Sequence, residues 1–238
     1  MKAAIVALFA ATLLLGCVGN NTQSLVIEQN NVPETTGGSC IAPGSASSTY
    51  RPSGRLDLAL LAGAGTSDQG PGYLMFPVVT NNLSSNVGGS SVNVDDTAFN
   101  IQLKRVDVEV TDAASGRALA EKFSVPVYKI LKASQSTGLI VDVLPWAVVA
   151  ALGNTEMVMV KLTVIGERDG SDIRSNTMEY AIEICSGCLL QDMGSCAAFT
   201  GEASVNTCNV AQDEPAVCCE SSTDGSLVCP AVAETPAG

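Results

Sequence analysis

MVMVKLTVIGERDGSDIRSNTMEYAIEIC, residues 157–185, decides the fold class. Val158, Val160, Leu162 and Val164 recur at every second position, with Lys161 and Thr163 between them. That period of two puts the apolar side chains on one face of an extended chain and the polar ones on the other, as in antiparallel sheets with one face in water. Tyr180, Ile182 and Ile184 repeat the pattern against Glu179 and Glu183. Between the two runs lies ERDGSD (167–172), whose Asp169-Gly170 pair is a two-residue hairpin turn signal. The stretch therefore predicts a hairpin whose second strand ends at Cys185, with the cysteine turned away from the core by strand parity.

The same rhythm extends upstream. Short apolar runs separated by turn residues occur at 56–62 (LDLALLA), 73–79 (YLMFPVV), 99–110 (FNIQLKRVDVEV), 122–130 (KFSVPVYKI) and 138–144 (GLIVDVL). With 157–166 and 178–184 they make seven candidate strands. Within FNIQLKRVDVEV the apolar parity is odd at Phe99, Ile101 and Leu103 and even at Val106, Val108 and Val110. A regular strand cannot turn both sets to one core, so a bulge or turn is expected near Lys104-Arg105. LPWAVVAALG supplies one short helix, opened by Pro145 and closed by Gly153. The expected fold is all-β: an immunoglobulin-like antiparallel β-sandwich of about seven strands and one helix over residues 55–187. The likeness to the immunoglobulin fold is architectural, because the single tryptophan, Trp146, sits on the helix and no Cys…Trp…Cys pattern is present.

The first residues read MKAAIVALFAATLLLGC. Lys2 precedes an apolar run, and Leu14-Leu15-Gly16-Cys17 sets small residues before a cysteine. The segment resembles a bacterial lipoprotein signal peptide, with Leu14 to Cys17 as its lipobox. The resemblance implies cleavage behind Gly16, acylation of Cys17, and attachment to the bilayer through that lipid. A multiply acylated terminus anchors stably where a single chain does not. Val18 stands where the family's inner-membrane retention signal carries Asp, which implies the outer membrane of the cell envelope. The apolar run is also short for a transmembrane helix, which needs about 20 such residues. Residues 17–54 are rich in Asn, Ser, Thr, Gly and Pro and predict a flexible tether behind the acylated cysteine.

Charge and composition exclude several functions. Twenty-four acidic residues against twelve basic ones give a net charge of −12. Clustered Lys and Arg, which nucleic-acid binding requires, are missing, so no nucleic-acid partner is expected. The chain contains no histidine. Ser-His-Asp and Cys-His catalysis and His-based zinc sites are thereby excluded. No catalytic residue, resident metal or cofactor is expected.

Eight cysteines remain beside Cys17: Cys40, Cys185, Cys188, Cys196, Cys208, Cys218, Cys219 and Cys229. An even number in an exported chain points to disulfides. Cys185-Ser-Gly-Cys188 has the form of a zinc knuckle, but adjacent Cys218-Cys219 cannot supply a second one. A thioredoxin-like redox pair would open a helix in an α/β chain, which this is not. Seven of the eight lie in or next to a polar tail over 188–238, so the odd count requires Cys40 to pair with one of them. The tail is expected to be irregular, stapled to the domain by these bridges outside its core, and frayed over PAVAETPAG.

Asp95, Asp96, Glu167, Asp169 and Asp172 put oxygens on loops and raise a calcium reading, against which stands turn geometry as the reason for Asp and Gly. The favoured function is a non-catalytic envelope lipoprotein with a structural or protein-binding role. The alternatives are a hydrolase using a carboxylate pair and a calcium-stabilised adhesion or carbohydrate-binding module, the latter weakened by few aromatics.

Overall fold

The computed structural model describes residues 23–36, 39–63, 72–84, 96–199 and 208–229. The expected signal peptide, Cys17, Asp95 and the terminal PAVAETPAG lie outside the described residues.

The molecule is all-β, built on two facing sheets. The larger contains β4 (Ser53–Asp57), β7 (Ile101–Asp112), β8 (Phe123–Leu131), β11 (Met157–Arg168) and β12 (Ser171–Cys185), in the order β4-β12-β11-β7-β8. The smaller contains β1 (Leu25–Asn30), β6 (Pro77–Asn81) and β9 (Ser136–Gly138), in the order β1-β6-β9. Pairing is antiparallel throughout both sheets except at β4, which runs parallel to β12. That parallel edge departs from the purely antiparallel sandwich the sequence suggested.

The hairpin over 157–185 forms as its period dictates. Val158, Val160, Leu162, Val164, Tyr180 and Ile182 are buried, and Arg168 pairs with Ser171 across a two-residue turn. Asp169 (φ 52°) and Gly170 (φ 76°) both take the left-handed conformation that turns of this length demand. β7 runs as one strand through the parity change. Lys104 is its extra residue, since Ile165 pairs with Arg105 and Gly166 with Leu103. The bulge lets Ile101, Leu103, Val106, Val108 and Val110 all face the core. Each such side chain contributes about 1.5–3 kcal/mol of burial.

β1 lies across β12 and β11, and its Leu25 and Ile27 are buried in the shared core. Over the described residues 23–36 and 39–54 this overturns the flexible tether expected over 17–54. Its polar residues are partners rather than linker: the Asn30 Oδ1 accepts the Phe76 N–H at 2.6 Å, and the Asn31 side chain donates to the Ser45 carbonyl at 2.8 Å. A second bulge, in β12, frees Asn176 to accept the Ile27 N–H at 2.7 Å and to donate to the Ile27 carbonyl at 3.1 Å. One side chain thus ties the two sheets together.

LDLALLA is the second correction. Only its first two residues are strand; Leu58–Gly63 form helix α1. Asp57 Oδ1 accepts the Ala59 and Leu60 N–H groups at 2.9 and 3.4 Å, an N-cap ahead of strong helix formers. The helix expected from Pro145 shortens to α2 (Trp146–Val149), with Gly153 at φ 58° behind it. The expected strands at 73–79 and 138–144 are each split. β5 (Leu74–Met75) pairs with β10 (Val141–Asp142), whereas β6 and β9 belong to the smaller sheet.

The tail is the third correction: its described residues, 188–199 and 208–229, form strands and reach the core. β13 (Leu190–Ser195), β14 (Ala216–Glu220) and β15 (Leu227–Val228) form a sheet in that order, and β2 (Glu34–Thr36) pairs with β3 (Ser39–Ile41), which carries Cys40. Leu189, Ala211, Ala216 and Cys218 join the main core, and Cys196 and Cys219 form a small second one with Phe199, Val217 and Val228.

Candidate functional site

Four disulfides join the eight cysteines. Cys40 is bonded to Cys208 across 168 residues, Cys196 to Cys219 and Cys218 to Cys229. Cys185 is bonded to Cys188, only three residues away. The expectation that this last pair would bridge the tail to the domain is therefore wrong; Cys40–Cys208 makes that long connection.

The Cys185–Cys188 loop is organised by a residue the sequence reading had not singled out. Asp57, the Cα partner of Cys185 in the parallel β4–β12 pair, has no solvent exposure. Besides capping α1, its Oδ1 accepts the Gly187 N–H at 2.7 Å and its Oδ2 accepts the Leu189 N–H at 2.8 Å. One carboxylate oxygen and both sulfurs lie within 4.8 Å of one another. A cation could in principle draw on such a set, but the sulfurs are bonded to each other and the carboxylate already accepts four backbone donors. Cys185 is half-buried and Cys188 exposed. An acid directly before LALLA was the signal for the cap; its second role toward 187 and 189 depends on a parallel pairing no local pattern announces.

Beside this loop, the tail closes the edge of β4. Leu56 bridges Gln212, the Asp57 N–H reaches the Ala211 carbonyl at 2.9 Å, and the Asp213 N–H reaches that of Arg55 at 3.0 Å. Gln212 then imitates a strand: its side chain accepts the Leu74 N–H at 2.9 Å and donates to the Leu74 carbonyl at 2.6 Å. Asp213 sits at φ 65° with its side chain 2% exposed. It accepts the Tyr73 hydroxyl at 2.9 Å and the Arg55 N–H at 2.8 Å, and Arg51 stands 3.6 Å away. Burial raises the Asp213 carboxyl above its usual range despite these partners, and burial followed by the Asp213 charge raises the Tyr73 hydroxyl well above its own. Tyr180, 3.2 Å from the Tyr73 hydroxyl, is pushed by burial up to about 12. Space here is tight: a Cβ on Gly54 would run into the Tyr73 ring. The cluster has the character of a structural clasp.

The solvent face of the larger sheet carries a groove of about 480 Å³ lined by Asp107, Glu109, Lys122, Lys161, Arg174 and Glu179. Lys122 pairs with Glu109 at 2.7 Å and Lys161 with Glu179 at 2.8 Å. Its acids are thus drawn toward cations rather than set against each other as a carboxylate dyad. Of the calcium candidates, Glu167 pairs with Lys104 at 3.2 Å and Asp169 with Arg168 at 3.3 Å. Among the described residues, the structure does not bring Glu167, Asp169 and Asp172 together as a ligand set.

No family model, curated protein or solved structure matches the chain. Among the described residues, no helix is long and apolar enough to cross a membrane.

Proposed function

We propose that the protein is an exported lipoprotein of the cell envelope, anchored through acylated Cys17, whose folded part has a non-catalytic structural or protein-binding role. The observation that carries this reading is the pairing of every cysteine other than Cys17. Four disulfides suit an oxidising compartment and not the cytosol, and Leu14 to Cys17 supply a signal that would deliver the chain there. The absence of histidine and the cation-paired acids of the groove favour binding over catalysis. The outer membrane is the proposed destination because Val18 follows the lipidated cysteine.

Metabolic labelling with an alkyne fatty acid in a Gram-negative host tests the anchor. The label is expected on the wild-type chain, in the membrane fraction, and absent from Cys17→Ala. An unlabelled wild-type chain, or a label surviving Cys17→Ala, overturns the reading.

A further inference from the structure

Three of the four disulfides have a structural reason, and the fourth does not. Cys40–Cys208 closes 168 residues, and the other two tail bridges include Cys196, Cys218 and Cys219, all buried. Cys185–Cys188 closes a separation of only three residues, where restriction of the unfolded chain is smallest. It also joins residues that are held in place without it. β12 fixes Cys185 through its pairing with Asp57, and the Asp57 carboxylate fixes the N–H groups of Gly187 and Leu189 on either side of Cys188. Neither cysteine belongs to either buried core cluster.

We propose that Cys185–Cys188 is a thiol–disulfide exchange site that accepts electrons from dithiols of exported proteins. The proposal goes beyond the anchoring reading and does not depend on Cys17. The fold is not thioredoxin-like, and what points to exchange is the layout of the loop. Cys188 is exposed and is the sulfur an incoming thiolate reaches; Cys185 is half-buried behind it. The partner thiolate bonds to Cys188 Sγ, the Cys185–Cys188 bond breaks, and its electron pair leaves on Cys185 Sγ. That sulfur takes a proton from solvent and has an acceptor waiting, the Leu56 carbonyl oxygen at 3.5 Å. The partner's second thiol, having released its proton, attacks its own sulfur in the mixed disulfide and frees Cys188, which is protonated in turn. The partner dithiol loses two electrons and two protons, and the loop gains them. Asp57 is a positioning residue that keeps the loop shaped while the bond is open.

The test is stepwise reduction of the full chain with dithiothreitol, with alkylation and peptide mapping at each step. Cys185 and Cys188 should become alkylated at a reductant concentration about tenfold below that needed for any other pair, as exposure of a sulfur governs access. Near-UV circular dichroism and Trp146 emission should stay unchanged through that step. A reduced Cys-x-x-Cys peptide added stoichiometrically should be recovered as its disulfide. With the oxidised peptide, Cys185→Ser should form a mixed disulfide about tenfold faster than Cys188→Ser, following the exposed sulfur. Opening of the pair only together with the others, loss of the near-UV signal when it opens, or a peptide left reduced overturns the proposal. Cys17→Ala run in parallel keeps this outcome separate from that of the anchor.

Discussion

The two edges of the larger sheet solve one problem in opposite ways. An unpaired strand edge invites pairing with another chain. At β4 the edge is covered by residues some 155 positions away in sequence: Ala211, Gln212 and Asp213 lie along it, and Tyr73, Arg51 and Arg55 bind Asp213. At β8 no such strap lies along the edge among the described residues, and protection is local. Pro126 lacks a donor, Val127 and Tyr128 bulge against Lys104, and Lys129 occupies core-side parity between Val127 and Leu131 yet is exposed. On the opposite, solvent-side parity, Tyr128 is 80% and Ile130 64% exposed. A covered edge depends on long-range contacts and is vulnerable at a few residues; a guarded edge depends on its own sequence and tolerates change.

The largest expected effect separates the strap from its anchor. Cys40→Ala with Cys208→Ala removes the crosslink over 168 residues, and the loop-closure argument gives a loss of ~5 kcal/mol. The midpoint of urea unfolding measures it, and an unchanged midpoint would show that the strap holds by its polar contacts alone.

Tyr73→Phe comes next. It removes a hydroxyl that donates to the buried Asp213 and leaves that carboxylate one partner short, a cost of about 1–3 kcal/mol. The same denaturation curve checks it.

Asp142, paired with Leu74 where Gln212 also binds, gives a smaller and pH-dependent effect. Burial raises its carboxyl to about 6 against hydrogen bonds from the Leu144 and Tyr73 backbone, and its Oδ1 has no partner. The folded state therefore holds the proton more tightly than the unfolded one. The associated stability is present below the unfolded pKa of 3.8 and is lost as pH rises through about 6. Asp142→Asn should gain about 1 kcal/mol at pH 7.5, allowing for solvent screening, and nothing at pH 4. Paired melts at the two pH values decide this, and an equal gain at both would place the effect elsewhere.

Tyr128→Ser on the guarded edge should change stability by no more than about 0.5 kcal/mol. A larger loss in the same melts would mean that β8 leans on its exposed side chains and would erase the contrast.

Much of the guarded half was legible. Period-two alternation located β7, β11 and β12, the Asp169-Gly170 pair located their turn, and the parity change in FNIQLKRVDVEV located the bulge at Lys104. Legibility failed where one short segment had two local readings, or where polar residues were buried. LDLALLA is apolar enough to suit a strand, but Asp57 ahead of Leu and Ala caps a helix. LVIEQNN looked too polar for a core, but Asn30 and Asn31 are buried because their amides satisfy neighbouring backbone groups. Asp57, Tyr73 and Asp213 were not singled out, since each is defined by partners more than one hundred residues away.

The sequence by itself determined the all-β class, the main hairpin and its faces, because strand periodicity and two-residue turns are properties of neighbouring residues. The even count of eight cysteines likewise foretold their pairing and the need for Cys40 to reach a distant partner. Only the tertiary structure decided that residues 25–31 belong to the core, that the tail closes the β4 edge, and that Cys185 and Cys188 bond to each other over a buried Asp57. Those facts depend on which segments meet, and a buried polar side chain shows its reason only when the donor or acceptor it satisfies is in place.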